Sequence, residues 1–327
     1  MTNVLLLSAG RRVELVQLFQ KALADIAPGS KIIAADAQSL APALYVADEA
    51  VILPQITESN YIDRLCEVID EYKVALVVPT IDPELPILAK AREEIEARTN
   101  ALVMIAEPWV IRICNDKVLT QEHVISNGLL APRIFNSAPE VSEEDLPIIL
   151  KPRAGSSSIG VNVVDSLDEI DYLLPRTNEP MIQELIRGEE YTVDCFSDFN
   201  GQIISIVPRL RIATRGGEIL KGRVEKNRQV MDAVQSLLET LPMPGHSTVQ
   251  CFETERGVEF IEINPRFGGG APMSIAAGAD SCSRLLKLLQ GKVLSYDEDF
   301  EDGLTFLRFD QSVAVRNSDL VESRSRD

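Results

Sequence analysis

The first 110 residues alternate short apolar runs with amphipathic segments, and this alternation restricts the fold more than any other feature of the chain. Runs of strand length occupy 3–10, 31–36, 49–54, 75–80 and 101–106. The first intervening segment has apolar residues at helical spacing, namely Val13, Val16, Phe19, Leu23 and Ile26. Helical patterns also cover 61–72 and 84–98. Strand–helix alternation of this kind predicts a doubly wound parallel sheet.

The first turn of this predicted sheet, Ser8 to Arg12, contains one glycine and no GxGxxG pattern. A dinucleotide site of the Rossmann type therefore has little support. Asp36 ends the second predicted strand, where a carboxylate either binds a ligand or caps the following segment. The sequence leaves both roles open.

Beyond residue 112 the pattern changes to strand-like runs with interspersed helices, which predicts an α+β unit. Asn115 is expected to cap a helix that Gly128 ends. Strand-like runs follow at 147–152, 160–165, 181–186, 190–197 and 202–213. A helix near 226–240 and two strands around 248–263 come next, and a helix and a strand close the fold. We expect the polar tail, 314–327, to be disordered.

Composition excludes several classes of protein. The formal net charge of −18, with no dense basic run, argues against a nucleic-acid partner. Five scattered cysteines without a CxxC pair argue against a disulfide framework or a zinc site and fit a reducing compartment. The apolar run at the N-terminus is too short for a signal peptide, and none approaches the roughly 18 to 20 residues of a membrane span. We therefore expect a cytoplasmic protein without a membrane partner.

The stretch GVEFIEINPRFGGG, residues 257–270, carries polar side chains where a purely structural strand would have Val or Ile. Alternation places Glu262 and Asn264 on one face and sends Ile261 and Ile263 to the core. A three-residue loop at 255–257 would set Gln250 opposite Glu262. Three oxygen-bearing side chains would then form a Mg²⁺ patch, with Arg266 able to clamp a phosphoryl group. A solvated polar hairpin is the alternative.

Two further segments are typical of nucleotide sites. In 148–164 a strand ends at Lys151, a Gly/Ser-rich loop follows, and a strand resumes; this is not a Walker A loop, and a flexible hairpin is the alternative. In 183–194, Glu184, Leu185, Ile186 and Glu190 could frame an adenine and a ribose. A solvated acidic turn explains that second segment equally well.

In this order, Lys117, Lys151 with its loop, the "EL" hinge with Glu190, and "EINPR" resemble the ATP-grasp superfamily, and most closely its carbamoyl-phosphate-synthetase-like branch. The resemblance covers most of the chain. It implies a pre-ATP-grasp α/β domain at 1–110, ATP-grasp subdomain A at 111–186, and subdomain B with its closing helix and strand at 187–313.

The resemblance also implies roles for individual residues. ATP would be bound by Lys117, Lys151, Gly155, Ser156, Ser157, Ser158, Ile159, Gly160, Glu184, Leu185, Ile186 and Glu190. One or two Mg²⁺ ions, or Mn²⁺ in their place, would be bound by Gln250, Glu262 and Asn264, although many members have an acidic residue where Gln250 stands. Arg266 would act at the transferring phosphate.

True carbamoyl phosphate synthetases have two synthetase halves, and this chain has room for one. Single-unit members are usually carboxylate–amine ligases, so a small carboxylate, a nucleophile and a homodimer are expected. The anionic substrate would meet the basic run Arg209, Arg211, Arg215, Lys221 and Arg223, with Arg215 the foremost contact. An exposed edge hairpin guarded by cations is the alternative for that run. An ATP-dependent kinase and a nucleotide-binding regulatory protein remain as rival functions.

Overall fold

The computed structural model describes residues 1–155 and 159–321. Its N-terminal part is the predicted parallel sheet, with strand order β3-β2-β1-β4-β5. The strands are β1 (Asn3–Leu6), β2 (Ile32–Asp36), β3 (Glu49–Ile52), β4 (Val74–Val78) and β5 (Leu102–Val103). The helices between them are α1 (Val13–Ile26), α2 (Tyr61–Tyr72) and α3 (Leu85–Thr99). The doubly wound architecture is confirmed.

The alternation that predicted this sheet reflects where its side chains lie. All four residues of β1 are buried, because helices cover both faces of the sheet. On α1 the core face comprises Leu15, Val16, Phe19, Ala22 and Leu23, whereas Val13 and Ile26 at the helix ends are only partly buried. Asp36 accepts hydrogen bonds from the backbone N–H groups of Gly10 and Gln38, so its carboxylate ties two turns together.

The connection to the second part of the chain differs from the prediction by one helix. Asn115 is the last residue of α4 (Pro108–Asn115), and Asp116 caps α5 (Lys117–Ser126) by accepting from Val118 N and Leu119 N. Asp116, rather than Asn115, is therefore the cap residue, and its carboxylate also pairs with Arg153. Both helices contact β14 of the larger sheet described below, so the segment predicted to open subdomain A packs elsewhere.

A small antiparallel sheet forms the middle of the chain, in the order β6-β9-β7-β8. It consists of β6 (Ile134–Phe135), β7 (Ile148–Pro152), β8 (Asn162–Val164) and β9 (Pro180–Glu184), with α6 (Leu167–Leu173). A separate core supports it, formed by Phe135, Val141, Ile148, Leu150, Val164, Ile170 and Ile182. This sheet therefore has a core of its own.

A six-stranded antiparallel sheet follows in the order β14-β13-β10-β11-β12-β15. Its strands are β10 (Glu189–Ser197), β11 (Ile203–Arg215), β12 (Glu218–Val224), β13 (Gly245–Thr254), β14 (Gly257–Asn264) and β15 (Thr305–Leu307). The helices are α7 (Arg228–Thr240), α8 (Ala271–Ala276) and α9 (Ser281–Leu289). The two largest core clusters contain residues of both this sheet and the N-terminal sheet, so these two parts pack as one unit.

The C-terminal region departs from the prediction in the length of its closing strand. The closing strand is only three residues long, because the chain leaves the sheet edge after Leu307. The described part of the tail also has structure: Asn317–Asp319 forms a 3-10 turn, and Val321 N donates to the Tyr45 hydroxyl at 3.3 Å. These are the features described within 314–321, and 322–327 lie outside the described residues. No helix of the described chain is long and apolar enough to cross a membrane.

Candidate functional site

The β13–β14 hairpin pairs the two residues predicted to face each other, but its turn differs from the predicted one. Gln250 lies opposite Glu262, and Thr248 opposite Asn264, which confirms the predicted register. However, Thr254 pairs with Gly257, so the turn has two residues rather than three. A bulge restores the register, since Cys251 pairs with Phe260 and leaves Ile261 as the extra residue.

The bulge also changes the environment of Ile261. Alternation predicted that the side chain of Ile261 enters the core. Instead, it lines a cavity between the small and the large sheet. Ile263, two residues on, is 1% exposed and belongs to the core. Strict alternation fails here because the bulge shifts the pattern by one residue.

That cavity, of about 210 Å³, contains most of the residues expected around ATP. Its apolar walls include Ile149, Leu185, Ile186, Phe252 and Ile261. Its polar lining includes Lys117, Lys151, Gly155, Glu184, Glu190, Gln250 and Glu262, and Ile159 lines it too. Ser156, Ser157 and Ser158 lie outside the described residues. We call this space the nucleotide cavity.

The two lysines of the nucleotide cavity lie close to the loop that follows β7. Lys117 Nζ donates to the Gly155 carbonyl at 2.7 Å. Lys151 is buried, and its pKa is lowered to about 8 by desolvation and by the charge of Lys117, against the opposing effect of Glu262. Gly155 and Gly160 have positive φ angles of 116° and 75°, so the loop starts and ends with backbone that glycine adopts readily.

Two of the three glutamates of the cavity, Glu184 and Glu190, have partners within the protein. Glu184 Oε2 accepts from Arg133 N at 3.1 Å and from Arg256 Nη2 at 2.9 Å. Its carboxylate therefore connects the end of β9 to two other segments of the chain. Glu190 Oε1 lies 3.1 Å from Arg211 Nε. Burial raises the pKa of Glu190, partly offset by the charge of Arg211.

A second cavity, of about 190 Å³, adjoins the first. Arg211, Gln250 and Glu262 line both, so the predicted metal patch stands at the junction. The second cavity also contains Asn264 and Arg266 and the sequence-predicted Arg209. We call it the substrate cavity.

The donor set of the metal patch fits Mg²⁺. One carboxylate and two side-chain amides supply only oxygen ligands, and Asn264 Nδ2 donates to Glu262 Oε1 at 3.2 Å, which orients the pair. The described residues contain no group of three or more His, Cys, Asp and Glu able to hold a metal. A site of this kind would depend on phosphate oxygens to complete its coordination, as Mg²⁺ sites commonly do.

Arg266 lies beside the metal patch, but its guanidinium group already donates hydrogen bonds within the protein. Nε and Nη2 donate to Asp82 Oδ1 and Oδ2, at 2.9 and 2.5 Å. Nη2 also donates to Asn264 Oδ1 at 3.3 Å, and Nη1 to the Phe267 carbonyl at 3.2 Å. In this conformation Arg266 does not offer the free bidentate clamp that the sequence suggested.

The basic run 209–223 divides between the cavity and the surface. Arg209 is 1% exposed and binds Asp194 through Nε and Nη2, each at 2.8 Å. Although burial alone would raise it, the pKa of Asp194 is lowered chiefly by the charge of Arg209. Arg211 donates to the Thr192 hydroxyl at 3.1 Å and to the Gly217 carbonyl at 2.9 Å.

The remaining three cations of the run lie outside both cavities. Arg215 is exposed and pairs with Asp310, Arg223 pairs with Glu225, and Lys221 is exposed on β12. Arg209 and Arg211 share a face of β11 by alternation, whereas Arg215 lies beyond two register shifts at the end of that strand. Of the five predicted contacts, the structure therefore brings Arg209 and Arg211 to the substrate cavity and leaves Arg215, Lys221 and Arg223 outside it.

The three glycines after "EINPR" make room for side chains at the floor of the substrate cavity. A Cβ at Gly268 would lie 2.8 Å from Thr248 Oγ1, and one at Gly269 would lie 2.8 Å from Arg12 Nη1. A Cβ at Gly270 would overlap Arg209 Nη1. A side chain at any of these positions would therefore displace its neighbour, and at Gly270 it would displace the buried Arg209 guanidinium.

Sequence reasoning missed Arg12, Asp82 and Glu218, which all line the substrate cavity. Arg12 follows β1 and Asp82 follows β4, the two neighbouring strands at which the order of the N-terminal sheet reverses. Ligands of open α/β sheets bind at this position, beyond the carboxyl ends of the strands. That rule could have singled out both residues from the predicted strands.

Two family models match the chain. The PylC-like N-terminal domain matches residues 4–103, and the domain described as "ATP-grasp in the biosynthetic pathway with Ter operon" matches residues 176–311. Among curated relatives, a carbamoyl-phosphate synthase of Methanobrevibacter smithii is 27% identical over 49% of this chain and 44% of its own. A formate-dependent phosphoribosylglycinamide formyltransferase of Synechococcus is 24% identical over 73% and 64%. The chain spans less than two thirds of the length of these relatives.

Solved structures share the fold. The biotin carboxylase domain of Hydrogenobacter thermophilus 2-oxoglutarate carboxylase superposes with a TM-score of 0.73 at 16% identity, over 93% of this chain and 73% of that one. An L-amino acid ligase from Bacillus licheniformis gives 0.70 at 19% identity, over 89% and 74%. The family models thus match a PylC-like N-terminal domain over 4–103 and an ATP-grasp domain over 176–311, and the solved structures show that the chain shares their fold.

Proposed function

We propose that this protein is an ATP- and Mg²⁺-dependent ligase, which activates a carboxylate as an acyl phosphate for attack by an amine or another nucleophile. One observation carries the proposal: two cavities meet at Gln250, Glu262 and Arg211. The first suits a nucleotide and the second an anionic substrate. Relatives named D-alanine–D-alanine ligase and 3-methyl-D-ornithine–L-lysine ligase support the same class of reaction.

The nucleotide cavity would hold ATP with its base among the apolar side chains and its phosphates toward the lysines. Ile149, Leu185 and Phe252 present flat or branched apolar surface, which favours burial of an aromatic base. Lys151, desolvated in the protein alone, would recover a favourable partner when a phosphate approaches. Glu190 would accept from the ribose hydroxyls.

Gln250, Glu262 and Asn264 would hold one or two Mg²⁺ ions, or Mn²⁺, whose charge offsets the negative charge of the phosphates. Gln250 is neutral, so this patch carries a single carboxylate. A second ion would accordingly be held less tightly. The resident groups Arg211 and Lys151 would add positive charge on either side of the patch.

In the reaction, a carboxylate oxygen of the substrate attacks the γ-phosphorus of ATP, and the bond to the bridging oxygen breaks to release ADP. The nucleophile then attacks the acyl carbon, loses a proton and expels phosphate. Arg211, which lines both cavities, is placed to neutralise charge on the group in transfer. The loop from Gly155 to Gly160 would shield the acyl phosphate from water.

A screen of carboxylates with amines, read as ADP release, tests the proposal. Free phosphate should appear with ADP in equal amounts, and only when the cognate carboxylate is present. A stable phosphorylated product without free phosphate would replace the ligase by a kinase. A homodimer, which the resemblance implies, is proposed here as the oligomeric state and is measurable by light scattering.

A further inference from the structure

Arg12 brings a guanidinium group from the N-terminal sheet to the substrate cavity and finds no hydrogen-bond partner there. Its side chain is 21% exposed, and the nearest carboxylate atom, Glu218 Oε1, lies 3.8 Å from Nη1. None of its five side-chain donors makes a hydrogen bond to any residue that the structure describes. Partly burying a charge without such bonds is unfavourable, and this applies to Arg12 in the protein alone.

The surrounding charges make that position worse. Burial lowers the pKa of Arg12, and the like charges of Arg266 and Arg308 lower it further, against the opposing effect of Glu218. Glu218 is shared, because Arg308 Nη1 also lies 3.3 Å from its Oε2. A side chain that costs stability where it stands is typical of a binding site rather than of a structural contact.

Arg209 presents a second guanidinium nitrogen, whose partner is only a weak acceptor, to the same cavity. Asp194 occupies its Nε and Nη2, whereas Nη1 contacts only the sulfur of Met273, at 3.7 Å. That Nη1 abuts Gly270, and Arg12 Nη1 abuts the preceding Gly269. Two cationic donors, one from each sheet, therefore adjoin consecutive glycines.

We propose that Arg12 and Arg209 together bind an anionic oxygen group of the substrate, a carboxylate or a phosphate, across the junction of the N-terminal and the ATP-grasp parts. That the bound anion belongs to the substrate rests on the proposed function. The existence of the anion site does not rest on it. The site is distinct from the nucleotide cavity, which neither arginine lines. A ligand there would give Arg12 hydrogen-bond acceptors and would give Arg209 Nη1 a stronger acceptor than the sulfur of Met273.

The test is calorimetric titration of the ADP- and Mg²⁺-saturated protein with two probes, malonate and inorganic phosphate. If the site takes a carboxylate, malonate should bind the wild type saturably; if it takes a phosphate, inorganic phosphate should do so. Arg12→Gln should weaken that binding about 10- to 100-fold, the effect of losing a charged hydrogen bond. Arg92→Gln is the matched control, since Arg92 is 25% exposed, pairs with Glu107 and lines neither cavity.

The melting temperature separates binding from a structural role. Without anion, Arg12→Gln should melt at or above the wild-type temperature, because the variant removes an unfavourable buried charge. Equal anion affinity in wild type and Arg12→Gln, no saturable binding of either probe, or a melting temperature clearly lowered by Arg12→Gln would overturn the inference. Normal anion binding without ADP release in the substrate screen would overturn only the proposed ligase activity.

Discussion

Arg266 and Asp82 join the ATP-grasp hairpin to the N-terminal sheet through two hydrogen bonds, of 2.9 and 2.5 Å. Their side chains are 11% and 19% exposed, so the pair lies largely out of water. Arg266 also contacts Asn264, and the pair thereby links the N-terminal sheet to the metal patch. A change in either domain is expected to reach the patch through this contact.

Asp82→Ala should destabilise the protein, because it leaves the guanidinium of Arg266 buried without its partner. Loss of one partner from a buried ion pair costs on the order of 3–5 kcal/mol, and this partly exposed pair should fall at or below that range. Urea unfolding measures the loss. The exposed pair of Lys31 and Glu49 is the control, and Glu49→Ala should cost clearly less stability than Asp82→Ala. Equal effects of the two changes would contradict this account of the pair.

Glu262→Gln should abolish ATP turnover and leave the melting temperature near that of the wild type, because it removes the carboxylate of the metal patch. Asn264→Ala should act in the same direction. Glu255→Gln, in the exposed turn of the same hairpin, is the control and should turn over normally. Wild-type turnover by Glu262→Gln would show that the patch does not hold the metal.

Lys151→Ala should weaken ATP binding at about pH 7 by roughly 10- to 100-fold, the effect of losing one charged hydrogen bond. In the free protein Lys151 is charged below its pKa of about 8 and neutral above it. Wild-type affinity should therefore fall as pH rises through 8, about tenfold by one pH unit beyond, because ATP must then bind with proton uptake. Calorimetry across this pH range measures the ATP affinity of two variants. Lys90→Ala, which removes an exposed lysine, is the control and should show the same fall in affinity as the wild type, whereas Lys151→Ala should not.

Ile261 and Ile263 form a matched pair for the two sides of β14. Ile263→Ala removes buried core volume and should lower the free energy of unfolding by about 2–5 kcal/mol. Ile261→Ala should cost less stability and should instead weaken nucleotide binding, because Ile261 lines the nucleotide cavity. Denaturant unfolding and ADP titration of both variants test this. The reverse pattern would place Ile261 in the core after all.

The sequence predicted what depends on local pattern. Apolar periodicity predicts the parallel sheet, because its strands are buried on both faces and its helices on one. The alternation of Glu262 and Asn264 and a loop at 255–257 predict the register with Gln250, although the observed turn is one residue shorter. These features need only neighbouring residues or a single hairpin.

What the sequence could not supply are contacts between distant parts of the chain. Asp82 meets Arg266 across 184 residues, and Arg12 meets Gly269 only once both sheets are packed. The bulge at Ile261 was missed because a two-residue turn plus one extra residue gives the same register as a three-residue turn. Arg215 was preferred over Arg209 because a buried arginine paired with Asp194 cannot be told from an exposed one by spacing alone.

The most direct test of carboxylate activation follows the oxygen atoms. Once the substrate screen has supplied a cognate carboxylate, that compound is labelled with ¹⁸O in both carboxylate oxygens and incubated with ATP, Mg²⁺ and the nucleophile. The acyl phosphate route predicts that the released phosphate carries one ¹⁸O atom, because the oxygen that attacks phosphorus leaves with it. Ligation that yields only unlabelled phosphate would contradict the account.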